Sequence, residues 1–377
     1  MWSDLPFHIL DNVFSFLSVD SLARAHLACR NWHLCATSYL ASPLHRLRRG
    51  QPPWFLALPS RGRGLSCYAH NPATQTWYHL SLDFFPEPVR PAASIVASGI
   101  LLLRPSSSVA FKLAICNPFT RQLRYLPAPG RIRTNPALGV VVLPGPAASG
   151  SAPGFKIYVA GGMSDGGASY EPTLEVYESS TDTWRMVGSM PVEFAVRLTV
   201  WAPNESVHVG GSLYWVTSAR AYSLMAFEIG SRGRWRELAV PFADRLEFAG
   251  LVEIGGRLVL VGAMFKGPAR LWRLEDGSGD WKLITEAPAE MGERLLGRKP
   301  SWASVKCVGI EGAACLYRDI ESGMIVWREV EEEEEEEEKR WEWSWVEGCS
   351  SIRGRKIHNF AVRGVFLHPN LSPSIFP

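Results

Sequence analysis

The 377-residue chain has no run approaching the roughly 18 consecutive apolar residues that a membrane helix needs. Nor does it open on a basic stretch followed by an apolar run, so neither a membrane span nor a secretory leader is expected. The longest candidate, Ala92 to Leu103, is interrupted by Ser98-Gly99 and reads as two strands. The seven cysteines (29, 35, 67, 116, 307, 315, 349) are odd in number, widely spread and form no Cys-x-x-Cys pair. That pattern argues against a disulfide framework and a zinc site, and fits reduced thiols in the cytoplasm and/or nucleus. There is no P-loop, no Gly-x-Ser-x-Gly, no dinucleotide fingerprint and no His-Glu-x-x-His. The histidines are scattered, and the one spaced pair, His26 and His33, is expected to face solvent. No catalytic residue, no metal ligand and no cofactor are therefore expected.

The small net charge, +2, conceals an asymmetry: Glu331 to Glu338 supply eight negative charges, so the rest of the chain carries +10. Eight adjacent like charges repel and stay solvated, which makes the run a surface loop. Part of the basic excess sits in Arg46, Arg48, Arg49, Arg61, Arg63, Arg131 and Arg133, expected in loops and without regular aromatic interleaving. Nucleic acid is not the expected partner. What the chain has in abundance is Gly (33), Pro (27) and Trp (15), which points away from an all-helical protein and toward short strands joined by turns.

The first thirty-five residues read as two short amphipathic helices. At 100° per residue, Leu5, Phe7, Ile9, Leu10, Val13, Phe14, Phe16 and Leu17 fall in an arc of roughly 200°. One packed side needs only about 100°, so this helix has room for a second partner. On the second helix Leu22, Ala25, Ala28, Cys29, Trp32, Cys35 and Ala36 share a face. Ser3 or Asp4 is positioned to cap the first helix ahead of Pro6, and Ser18 or Asp20 to cap the second. A unit this small does not hold a core easily without a staple or a partner, and the alternative to an outside partner is a helical hairpin docked onto its own larger domain.

In order, Leu5-Pro6, Ile9-Leu10, Val13-Phe14-Ser15, Leu17, Ser21-Leu22 and Ala28-Cys29-Arg30-Asn31-Trp32 closely resemble the F-box motif. The resemblance implies docking onto the Skp-type adaptor of a cullin/RING ubiquitin ligase. Its anchors would be Leu5, Pro6, Ile9, Leu10, Val13, Phe14 and Leu17, with Leu22, Cys29, Arg30 and Trp32 also in the motif, Trp32 chiefly holding the helices together.

Beyond Pro52 the chain repeats. Trp77, Leu123, Trp184, Trp235 and Trp281 each follow a polar turn and open an apolar strand, at spacings of 46 to 61 residues. A second marker lies 24 or 25 residues before several of them: Ser98-Gly99, Gly210-Gly211 and Gly255-Gly256, with Glu311-Gly312 in the last unit. Two-residue hairpin turns need φ > 0, which Gly accepts without steric cost. Four antiparallel strands repeating at this interval are a β-propeller blade. One unit, Ile157-Tyr158-Val159-Ala160-Gly161-Gly162 with Tyr177 and Trp184, resembles a kelch repeat. In the last unit Met324 to Val330 and Trp341 to Val346 are expected as third and fourth strands, with the acidic run between them. The first unit, Trp54 to Leu82, is one strand short, and Phe360 to Leu367 is the strand available to complete it.

The expectation is thus a mainly β protein, a kelch-like β-propeller preceded by a small all-α F-box. The domains are F-box 1–45, linker 46–53 and propeller 54–370, with an acidic loop at 331–340. The blade count is six, or seven if residues 137 to 205 hold another. The chain resembles plant F-box/kelch-repeat proteins, which implies a non-catalytic substrate receptor of an SCF-type ligase binding a protein through one rim of the propeller. The alternatives are an F-box scaffold without ubiquitination and a propeller enzyme.

Overall fold

A computed structural model describes residues 5–41, 52–60, 66–95, 98–105, 110–143, 154–199, 206–218, 221–230, 233–275, 277, 279–298, 300–310, 312–330, 340–357 and 361–371. Among the described residues the N-terminal unit holds three helices rather than two: α1 (Phe7–Ser15), α2 (Val19–His26) and α3 (Arg30–Ala41). The expected second helix breaks at residues 27–29, a turn without Gly or Pro to announce it. Ser18 caps α2, its hydroxyl accepting from the Ser21 amide, while Asp20 accepts from the Ser18 hydroxyl instead. Pro6 stands at the start of α1, and the expected caps Ser3 and Asp4 lie outside the described residues.

Among the described residues the strands form six four-stranded antiparallel sheets and two small two-stranded ones, Arg133–Thr134 with Met163–Ser164 and Ser351–Ile352 with Arg355–Lys356. Blade 1 runs, from the axis outward, Val362–Leu367, Trp54–Pro59, Ser66–Asn71 and Thr76–Ser81. Blade 2 is Val89–Ile95, Ile100–Pro105, Ala114–Asn117 and Gln122–Tyr125; blade 3 is Ala137–Val142, Phe155–Ala160, Thr173–Glu178 and Thr183–Ser189. Blade 4 is Ser206–Val209, Ser212–Ser218, Tyr222–Glu228 and Arg234–Ala239. Blade 5 is Leu246–Ile254, Arg257–Met264, Ala269–Leu274 and Trp281–Glu286; blade 6 is Lys306–Ile310, Ala313–Tyr317, Met324–Val330 and Arg340–Val346. The six inner strands touch one another in a closed cycle, blade 1 against both blade 2 and blade 6. The C-terminal strand does complete the first blade, pairing Trp54↔Leu367 through Pro59↔Val362. The acidic run, Glu331 to Glu338, lies outside the described residues, between paired strands of blade 6.

The core is a set of apolar layers between neighbouring blades. Leu56, Cys67, Leu101 and Cys116 lie between blades 1 and 2, and Ile157, Tyr177 and Leu102 between blades 2 and 3. Trp215 and Phe227 face Tyr158 across blades 3 and 4, and Trp327 faces Val259 and Leu271 across blades 5 and 6. Several of the repeating tryptophans fasten one blade to the one before it. The indole N–H of Trp77 donates to Glu347 O (3.2 Å), that of Trp184 to Pro127 O (2.7 Å) and that of Trp281 to Ala239 O (2.8 Å). The Gly-Gly hairpins form as expected, with φ of +55° and +76° at Gly210 and Gly211.

Alternation of antiparallel strands divides the loops between two rims. The turn rim carries the hairpins between first and second strands and the turns between third and fourth. The connection rim carries the loops between second and third strands and every passage from one blade to the next. Two short helices lie in those passages, α4 (Val192–Leu198) and α5 (Ala289–Leu296). Beyond blade 1 the chain leaves along the turn rim. The Asn370 side chain donates from Nδ2 to Ser98 O (3.1 Å), and its backbone carbonyl accepts from Asn117 Nδ2 (2.6 Å). Leu371 then packs against the core of the helical unit, so that unit sits on the turn-rim side.

Candidate functional site

The helical unit has a filled core of its own. Leu10 and Phe14 of α1 are fully buried against Leu22 and Ala25 of α2 and Cys35, Ala36, Tyr39 and Leu40 of α3. Phe14 meets Trp32 and Tyr39 edge-on, with ring centroids 5.6 and 6.2 Å apart. Asn31 donates to Leu5 O (3.3 Å), tying the start of α3 to the chain ahead of α1. The Cys35 thiol lies 3.4 Å from Asp11 Oδ1, and burial together with that carboxylate pushes its pKa up to about 12.

This arrangement divides the expected anchors. Leu10, Phe14 and Leu22 are interior residues, and Leu5, Leu17, Cys29 and Trp32 are half-buried. Pro6, Ile9, Val13 and Arg30 stand on the surface, Ile9 40% and Val13 38% exposed. Sequence reasoning put both sets in one broad arc. The packing separates them into an inner stripe at Leu10, Phe14 and Leu17 and an outer stripe at Pro6, Ile9, Val13 and Phe16, the last 83% exposed. Leu27 and Leu34 add further exposed apolar surface to the unit. The pair His26 and His33 does not simply face solvent. The rings lie 4.1 Å apart between α2 and α3, His26 within 3.1 Å of the Thr37 hydroxyl. Burial, with His33 beside it, holds the His26 pKa below its ordinary value.

On the propeller, one expected basic loop residue is not at the surface. Arg133 is fully buried and ion-paired with Glu175, and its guanidinium donates to Gly161 O and Thr173 O (both 3.0 Å). Glu175 also accepts from the Gly130 amide (2.7 Å). This anchors the passage from blade 2 to blade 3 onto the Gly161-Gly162 dipeptide, where a Cβ on Gly162 would lie 2.7 Å from Thr134 O. The kelch-like glycines therefore serve the architecture. Arg46, Arg48, Arg49, Arg61 and Arg63 lie outside the described residues. Among the described residues no group of three or more His, Cys, Asp or Glu is placed to hold a metal ion, and no helix is long and apolar enough to cross a membrane.

The two rims differ in character. Among the described residues, and away from the strand faces, the exposed large apolar residues of the propeller are Ile132, Tyr170, Val192, Val196, Phe242 and Phe265, all on the connection rim. The turn rim presents glycine hairpins and polar turns. None of these six residues carries a sequence signal, because exposure in a loop leaves no periodicity to read.

Residues 2–41 match the F-box-like family, and residues 79–251, from the outer strand of blade 1 into blade 5, match the F-box associated beta propeller domain. F-box only protein 6 of Arabidopsis thaliana is 23% identical over 376 residues, covering 98% of this chain and 74% of that protein. Protein UNUSUAL FLORAL ORGANS of the same plant is 24% identical over 341 residues, covering 82% of this chain and 72% of that protein. An F-box/kelch-repeat protein of Arabidopsis thaliana is 24% identical over 302 residues, covering 76% and 70%.

Proposed function

This chain is an F-box protein with an F-box-associated β-propeller, and we propose that it is the substrate-recognition subunit of an SCF-type ubiquitin ligase. The observation that carries the proposal is the outer stripe of α1. Pro6, Ile9, Val13 and Phe16 recur at helical spacing on the surface of a unit whose own core Leu10 and Phe14 already fill. Burying a fully exposed apolar side chain is worth roughly 1.5–3 kcal/mol. Phe16 at 83% exposure keeps most of that gain and Ile9 and Val13 at 40% and 38% a share of it, and their sum along one stripe favours a Skp-type adaptor. Residues 1–45 would then be the docking module, 46–53 a linker and 54–370 the module that holds a protein to be ubiquitinated. The chemistry belongs to the cullin/RING assembly and its conjugating enzyme, and this chain contributes proximity. Work in the cytoplasm and/or nucleus fits an odd, scattered set of cysteines.

Two pairs of substitutions test the docking. Ile9→Asp with Val13→Asp should abolish adaptor capture while the melting temperature stays that of wild type. Leu10→Ala with Phe14→Ala should also lose the adaptor, but by unfolding the helices, since each deletion from a filled core costs about 2–5 kcal/mol. A wild-type chain that ignores the adaptor while folded overturns the proposal. Capture without ubiquitin transfer to a bound partner leaves the scaffold reading in its place.

A further inference from the structure

The connection rim of blades 4 and 5 combines exposed aromatic rings, cations and backbone strain. Phe242 lies in the passage between these blades and Phe265 in the loop between the second and third strands of blade 5; they are 43% and 58% exposed. The pair Leu246↔Met264 ends the ladder between the first two strands of blade 5, so the two turns leave the same end of one ladder side by side. Phe242 has φ of +52° and Lys266 of +57°, in the left-handed region that bulky side chains seldom adopt. Such strain persists where the surroundings fix it, and it clusters at functional surfaces.

The fixing groups are evident. Arg245 and Leu246 donate their amides to Phe242 O (2.8 and 3.1 Å), and the Tyr222 amide donates to Ala243 O (2.9 Å). The Gly267 amide donates to Met264 O (3.0 Å), and the Trp302 indole donates to Gly267 O (2.9 Å). The rings are thus held out by a rigid frame, which lowers the ordering cost of binding.

Each ring has a cation over it, Arg245 at 6.0 Å from the Phe242 centroid and Lys266 at 5.4 Å from that of Phe265. Neither cation has a carboxylate partner among the described residues, whereas Arg197 on α4 pairs with Glu237, Arg270 with Glu286 and Arg294 with Glu347. Asp244 is the one carboxylate within the two turns. Val192 and Val196, one helical turn apart on α4, are exposed on the same rim.

We infer that this patch, centred on Phe242, Arg245, Phe265 and Lys266, is the surface that grips the target protein, and that the target presents an apolar segment flanked by Asp or Glu. The inference rests on the receptor reading above and goes further by assigning the surface and the chemistry of the segment. Exposed aromatics on a rigid frame are the usual energetic centre of a protein interface, and the unpaired cations match carboxylates on the partner. Nucleic acid fits less well, because it would need a longer series of cations to meet successive phosphates. The patch also lies on the rim opposite the F-box, where a bound protein faces away from the helical unit.

A random-peptide phage library panned against the full-length protein tests this. Enriched peptides should pair Asp or Glu with Phe, Leu, Ile or Val. Their affinity, read by fluorescence anisotropy, should fall about tenfold or more for Phe242→Asn with Phe265→Ser, and likewise for Arg245→Glu with Lys266→Glu. Asn suits the left-handed backbone at position 242, so the turn is retained. Val142→Ser on the turn rim should leave affinity unchanged. No enrichment, peptides without acidic residues, undiminished affinity in variants that melt like wild type, or an oligonucleotide competing for the same side chains would each overturn the inference. Adaptor capture measured on the same preparations separates the two ideas, since its loss sinks the ligase reading and leaves the peptide result standing.

Discussion

His70, on the third strand of blade 1, is buried beside the Trp77 ring, with centroids 5.1 Å apart, and burial lowers its pKa from 6.5 to about 4. Between those two values the unfolded chain binds a proton that the folded chain refuses, so stability falls as pH drops through the window and levels off below it. A shift of that size corresponds to at most about 3 kcal/mol. Denaturant midpoints measured across the window should therefore decline with acid, and His70→Gln should flatten the decline. An unchanged slope in the variant would assign the loss to other groups. Glu178, held low first by its hydrogen bond to Lys156, and Glu347, held low first by Arg294, act in the same sense at more acidic pH. Glu347 is largely in solvent and Glu178 half-buried with both of its cationic partners partly exposed, so screening keeps these contributions small. Arg133 shows what a single residue hides from sequence reading. Its partner Glu175 is remote in the chain, and only the fold turns an apparent loop cation into a buried ion pair.

At the scale of elements, the hairpins and the four-strand rhythm were legible because glycine and tryptophan carry steric and packing constraints that survive in a single sequence. The break between α2 and α3 was not, since residues 27–29 contain no residue that forbids a helix. The short helices α4 and α5 did leave a trace, Pro191-Val192-Glu193 and Pro288-Ala289-Glu290, a proline at the cap with an acid in the first turn. Inner strands also pack on one another by size: a Cβ at Gly309 of blade 6 would lie 2.5 Å from Val252 Cβ of blade 5. Gly309→Ala should cost about 1–3 kcal/mol through overpacking. Val252→Gly, which removes both the Cβ and the Cγ1 that a Gly309 Cβ would meet at 2.5 and 2.7 Å, should recover part of that loss, so a double-mutant cycle by urea denaturation should be non-additive. Additive losses would mean that the two strands do not press on each other at this point.

For the whole molecule, closure depends on one strand. Truncation after Ser351 removes Val362–Leu367 from the innermost position of blade 1 and leaves Trp54–Pro59 and its neighbours with open edges. That change should collapse soluble yield and melting temperature. Deleting Glu331 to Glu338 should do little, because shortening a solvated connection alters closure entropy by only about 0.6 kcal/mol per halving. A truncated chain that melts like wild type would show that the ring holds without its clasp. The same C-terminal segment is tied to blade 2 through Asn370 and reaches the core of the F-box with Leu371, which sets an order of events in biosynthesis. The docking helices leave the ribosome before the propeller, and the strand that closes blade 1 emerges only after the other five blades. On the ligase reading, a message with a premature stop near its end would yield docking helices attached to an unclosed ring, a product removed by aggregation and turnover before it can compete for adaptors.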